Sequence, residues 1–166
     1  MHITFIQTGG TIDKDYPNDN IKHGYGFETG EPAFREIVAR IPHLCSFDFL
    51  EATQKDGTDL TDGDREIIRR TVEGCPSDRI IVTHGTSTMG KTASALKDIK
   101  GKIIVLTGSM LPAKFKGSDA EFNLGMAVGA VQIVPPGVYV ALYGRVVPWN
   151  EIQNLHDEYD RRAGIR

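Results

Sequence analysis

Threonines and glycines recur together at three points of this chain, each time directly after an apolar run. Ile3-Thr4-Phe5-Ile6 leads into Thr8-Gly9-Gly10-Thr11, Ile80-Ile81-Val82 into His84-Gly85-Thr86-Ser87-Thr88, and Ile103-Ile104-Val105-Leu106 into Thr107-Gly108-Ser109. Glycine lets a backbone turn sharply and approach a ligand closely. A hydroxyl donates, accepts and, beside a base, attacks. The three turns predict one shared pocket lined with hydroxyls. A second pattern overlaps them: Gly85-Thr86-Ser87-Thr88-Met89-Gly90-Lys91-Thr92 matches the phosphate-loop spacing G-x-x-x-x-G-K-[ST]. In that reading backbone amides cradle phosphates and Lys91 reaches the terminal ones. Neighbouring strands, however, end in Thr-Gly or Tyr-Gly rather than in a magnesium-holding aspartate. Met89 would put an apolar group in the cradle, and Thr8 to Thr11 would have no role. Nucleotide binding is the weaker alternative.

The elements that must position these turns alternate from end to end. After the first strand, Asp13 to Gly30 is polar and aperiodic, a long loop suited to a lid. Pro32 opens a helix carrying Phe34, Ile37, Val38 and Ile41, and Pro42 stops it. Cys45, Phe47 and Phe49 alternate with polar residues as a less buried second strand. Thr61 with Asp64 forms a capping-box pattern for a helix reaching Gly74. A third strand spans Arg79 to Thr83, a helix follows to about Ile99, and a fourth strand spans Lys102 to Thr107. Ser118 with Glu121 reads as a second capping box, for a helix ended by Pro135-Pro136-Gly137. Val138 to Tyr143 is the fifth strand. Asn150 to Arg166 is polar, with Ile152, Leu155 and Tyr159 at helical spacing: a short tail helix or a frayed end. The pattern predicts an α/β fold, a three-layer α/β/α sandwich with a mainly parallel, Rossmann- or flavodoxin-like sheet, forming one domain over 1–166. Right-handed crossovers put all the glycine-threonine turns on one sheet edge.

The formal net charge of −3, with basic residues scattered, argues against nucleic-acid or membrane-surface binding. Cys45 and Cys75 fit neither a disulfide framework nor a metal site. With no basic-then-apolar leader and no membrane-length apolar run, a soluble, cytoplasmic protein is expected.

Five segments, in order, resemble the bacterial-type L-asparaginase family. Thr8-Gly9-Gly10-Thr11-Ile12 and Val82-Thr83-His84-Gly85-Thr86-Ser87-Thr88-Met89 resemble its two signatures, and Lys55-Asp56-Gly57-Thr58-Asp59-Leu60-Thr61 resembles its substrate-anchoring segment. Val105-Leu106-Thr107-Gly108-Ser109-Met110-Leu111-Pro112 and Ser118-Asp119-Ala120 with Phe122-Asn123-Leu124 complete the series. The resemblance covers the family's N-terminal domain only. It implies an amidohydrolase of asparagine or a related side-chain amide, needing no cofactor and no metal, and a homo-oligomer. Thr11 matches the primary nucleophile and Thr86 the second catalytic threonine. The activating tyrosine comes from the mobile loop, where Tyr25 is the candidate taken, with Tyr16 a second and Phe27 at that point of an offset alignment. Substrate contacts carry over to Gly10, Gly57, Thr58, Asp59, Gly85, Ser87 and Ser109, with Thr58 and Asp59 anchoring the α-groups. Backbone N–H groups near Gly10 and Thr86 are candidate oxyanion donors.

The sequence departs from the family where protons move. Ser87 replaces its aspartate, Asn154 aligns with its lysine, and Gly57 replaces a serine. The carboxylate supplied there by a neighbouring subunit has no counterpart. Losing a general base costs about 10²- to 10⁴-fold in rate, so a non-catalytic amino-acid-binding module is the alternative. Lys91, Lys114, Lys116 and Asp13 are possible replacements, each more simply a solvated charge. His84 reads as a structural histidine, Asp119 as serving the first turn of its helix, and Trp149 as a packing residue or an oligomer anchor.

Overall fold

A computed structural model describes residues 1–16 and 26–164. In chain order the elements are β1 (His2–Gly9), β2 (Lys14–Asp15), β3 (Glu28–Thr29), α1 (Ala33–Arg40), β4 (Ser46–Lys55), α2 (Asp62–Gly74), β5 (Arg79–Thr83), α3 (Met89–Leu96), β6 (Ile103–Thr107), α4 (Ala120–Ile133), β7 (Gly137–Leu142), β8 (Arg145–Pro148) and α5 (Ile152–Ala163). The main sheet runs β4-β1-β5-β6-β7-β8. Its first five strands are parallel, and β8 closes one edge antiparallel to β7. Lys14–Asp15 and Glu28–Thr29 pair as a short antiparallel ribbon at the two ends of the loop predicted from the sequence.

Alternation along the central strands divides the core into two layers. Ile6, Ile80, Val82, Ile104, Leu106 and Val140 pack against α2, α3 and α5. Ile3, Phe5, Ile81, Val105 and Ala141 face α1 and α4 on the other side. Phe5 stacks on Phe34 of α1 at 4.7 Å between ring centres, with Phe49 of β4 against the same ring. Both Phe5 and Phe34 are fully buried, each contributing about 1.5–3 kcal/mol through area removed from water. The three-layer α/β/α arrangement is the one expected.

Two local expectations change, and a third is settled between its two alternatives. The second strand runs to Lys55, beyond the alternating segment that announced it, and forms a sheet edge. At α4 the Ser118–Glu121 capping box does not form: Asp119 is the N-cap residue, the Ser118 hydroxyl bonds Ala120 N–H and Leu111 O, and Glu121 pairs with Arg40. The tail is no frayed end, because Val147, Ile152 and Leu155 are buried and dock β8 and α5 on the core. The Thr61–Asp64 capping box is present as predicted. Among the described residues no helix is long and apolar enough to cross a membrane.

Candidate active site

Strand order reverses direction between β1 and β5: the chain crosses from β1 to β4 on one side, then continues through β5, β6 and β7 on the other. Such switch points leave a crevice beyond the carboxyl ends of the strands, where ligands bind in open α/β sheets. The turns after β1, β4 and β5 meet there, backbone against backbone. Gly10 has φ +91°, and a methyl group on it would lie 2.5 Å from Gly85 Cα. One on Gly85 would lie 2.9 Å from Gly57 Cα. Thr88 ties the third turn down by donating its hydroxyl proton to Gly57 O at 2.5 Å. Gly10, Gly57 and Gly85 thus form the floor; a Cβ at Gly10 or Gly85 would collide with neighbouring backbone, and one at Gly57 would press on Gly85 Cα at 3.1 Å.

Each of these glycines borders or opens a single 3₁₀ turn: Thr11–Asp13, Gly57–Asp59 and Thr86–Thr88. Thr11 and Thr86 therefore hold equivalent places, each first in its turn, directly after a glycine. Thr11 is half-buried, and its hydroxyl has no hydrogen-bond partner among the described residues. Thr86 touches the Met110 thioether, Oγ1 to Sδ 3.9 Å. The Gly10 N–H is taken by Lys55 O at 3.0 Å, so it is not a free oxyanion donor. Lys14 pairs with Asp56, which accepts from the Thr58 N–H and hydroxyl, both at 3.0 Å. Asp59 is exposed beside them, as is Ser87 on the opposite wall.

Several hydroxyls expected in the pocket are used elsewhere. Thr8 donates to Thr83 O and Thr107 to Ala141 O, bracing neighbouring strands. Ser109 is buried and donates to Leu111 O. His84 is structural: its ring bonds Gly85 O and the Thr92 hydroxyl, both at 2.7 Å, and complete burial pushes it down to about 4. The same bond removes the hydroxyl that the phosphate-loop pattern would offer to a metal. Asp119 holds the loop after β6 rather than its own helix, accepting from Met110 N–H, Leu111 N–H and the Asn123 amide.

Two of the suggested replacement bases are also engaged. Asp13 accepts from Ala33 N–H at 2.8 Å and from Gln7 Nε2 at 3.0 Å, and burial pushes its carboxyl up to about 7. Lys114 pairs with Glu36, which raises its pKa. Asn154 is exposed and bonds Glu151. Tyr25 lies outside the described residues, whereas Tyr16 packs on Phe27, which in turn meets Phe115.

Sequence reasoning missed the wall beside Thr86. Tyr143 Oη meets Met110 Sδ at 3.5 Å and His156 Nδ1 at 3.0 Å. The available signal was spacing: Ile152, His156 and Tyr159 share one helical face. His156 borders a cleft of about 730 Å³ between α2, α3 and α5, with Arg65, Ser87 and Lys91 on its walls. That cleft opens beside Ser87, not over Thr11.

Known proteins share this architecture. The chain belongs to the asparaginase family, residues 2–160 matching the family described as "Asparaginase, N-terminal". An L-asparaginase of Thermococcus kodakarensis is 38% identical over 82 residues, 48% of this chain and 25% of that protein. A glutamyl-tRNA(Gln) amidotransferase subunit from Methanococcus vannielii is 35% identical over 164 residues, 94% of this chain and 37% of that one. The solved thermostable L-asparaginase from Thermococcus kodakarensis superposes with a TM-score of 0.77 at 27% identity, covering 90% of this chain and 46% of that chain. The chain thus spans less than half the length of each.

Proposed function

We propose that this chain hydrolyses the side-chain amide of L-asparagine or a related compound through a threonine acyl-enzyme. The observation that carries this reading is the pairing of Thr11 and Thr86, first residues of equivalent turns joined by the Gly10–Gly85 contact. In the first step the Thr11 oxygen bonds to the amide carbon and its proton passes to a base. The carbonyl oxygen becomes an oxyanion, for which N–H groups of the two first turns are the candidate donors. The C–N bond then breaks, and the nitrogen leaves as ammonia with the transferred proton. Water adds to the ester, one of its protons returns to the Thr11 oxygen, and the acid is released. Thr58 and Asp59 anchor the α-groups. The site operates in the cytoplasm, and copies of the chain associate, as asparaginase sites complete themselves across subunits.

Ammonia release from L-asparagine and L-glutamine, with Thr11→Ala alongside, tests the reading. Both amides are included because the relatives carry both asparaginase and amidotransferase names. We expect release that falls to background in Thr11→Ala; release equal in the two proteins overturns a Thr11 nucleophile. A second reading, a non-catalytic amino-acid-binding module, is favoured by one observation: no described side chain hydrogen-bonds the Thr11 hydroxyl. It predicts calorimetric binding of L-asparagine without ammonia.

A further inference from the structure

Tyr143 occupies a conformation that its residue type does not favour. It has φ +54° and is followed by Gly144 at φ +79°, the two central residues of the turn between β7 and β8. Two-residue hairpins of this kind prefer Asn, Asp or Gly at the first position, and a side chain held left-handed there costs roughly 1–2 kcal/mol. Strain of this sort persists where the surrounding structure over-determines it, and it points to a use. The ring stacks on Tyr159 of α5, with centres 4.1 Å apart and planes 10° from parallel. Stacking accounts for an aromatic ring but not for a hydroxyl, since phenylalanine would stack equally well. The hydroxyl has its own partners, His156 Nδ1 and Met110 Sδ. Thr86 Oγ1 reaches that same sulfur.

We infer that the Tyr143–His156 pair is the proton acceptor on the Thr86 side of the site, filling the place left by Ser87 and Asn154. This rests on the amidohydrolase reading above. Met110 is 42% exposed, and a water or substrate amide taking the place of its sulfur would join the two hydroxyls. In the hydrolytic step a proton of the attacking water moves to Thr86 Oγ, the Thr86 proton passes through the bridging water to Tyr143 Oη, and the Tyr143 proton moves to His156 Nδ1. The resulting hydroxide bonds to the ester carbon. The imidazolium returns its proton along the same path to the Thr11 oxygen as the ester C–O bond breaks, so every group ends as it began.

Burial lowers the His156 pKa, which keeps the imidazole neutral and able to accept a proton at neutral pH. Asp157 and Asp160 of its own helix oppose this shift, and Asp62, Arg65, Glu66 and Lys91 border the same cleft from α2 and α3. Tyr143 is held neutral, pushed up to about 12 by burial and by Tyr159, Asp160 and Asp119. It can therefore pass a proton on without becoming a resident anion.

The test measures ammonia release against pH for the wild type, Thr11→Ala, His156→Gln and Tyr143→Phe, with melting temperatures for all four. Gln keeps an N–H near the Nε2 position but accepts no proton near neutral pH, and Phe keeps the stacked ring without the hydroxyl. We expect His156→Gln to lose about 10²- to 10⁴-fold in kcat and to lose the acidic limb of the pH profile. Tyr143→Phe should lower kcat with an unchanged melting temperature. If His156→Gln does not fold, Tyr143→Phe decides alone. Thr11-dependent release that both variants retain at full rate, with an unmoved acidic limb, overturns the pair and leaves the amidohydrolase reading intact. Absence of release from the wild type overturns that reading and the pair with it.

Discussion

Asp13 shows how a residue's neighbours decide its chemistry. Two positions after the proposed nucleophile, it reads in the sequence as a possible base; the structure commits its two oxygens to Ala33 N–H and Gln7 Nε2. Burial outweighs both hydrogen bonds and raises the carboxyl from 3.8 to about 7. Between these values the unfolded chain has released a proton that the folded chain still holds, so unfolding becomes easier as pH rises. We expect Asp13 to remove on the order of a few kcal/mol of stability between about pH 4 and pH 7. Denaturant unfolding across that range should show the loss, and Asp13→Asn should flatten it. An unchanged slope in the variant would assign the pH dependence to other groups. Thr11 and Thr86 were legible at this scale because each follows a strand and a glycine. Tyr143 and His156 were not: the bond between them forms only when a hairpin turn and a helix thirteen residues on are brought together in space.

At the scale of elements, local patterns succeeded where the competing partners were also local. The Thr61–Asp64 box needs only its own turn and is present. Thr61→Ala should cost about 1 kcal/mol, seen as a melting temperature lower by roughly 2–4 °C. The equivalent pattern at Ser118 failed because Leu111 O, from the loop before it, and Arg40, on another helix, claimed its two members. The glycine floor was foreseen as sharp turns; that three of them press on one another was not visible in any one segment. Gly10→Ala meets both a left-handed backbone and Gly85 Cα at 2.5 Å. We expect it to destabilise the protein by at least ~2 kcal/mol and to abolish ligand binding before it abolishes the sheet. Calorimetric titration with L-asparagine beside far-UV circular dichroism would separate those two losses.

For the whole molecule, the parallel core and its two helical layers followed from continuous apolar strands separated by helical patterns. The antiparallel β8 strand and the docking of α5 did not, since so short a strand, with most of its residues exposed, carries little periodicity. An associating chain should scatter light as a mass above 18.3 kDa; a monomer across the concentrations used for the ammonia assay would remove the subunit-completed form of the proposal. The docking of α5 also carries a meaning in time. Thr11 leaves the ribosome long before His156, so the wall beside Thr86 cannot exist while α5 is still unmade. On the mechanism proposed above, a nascent chain without α5 lacks the His156 acceptor, so turnover would begin only once that helix has been made.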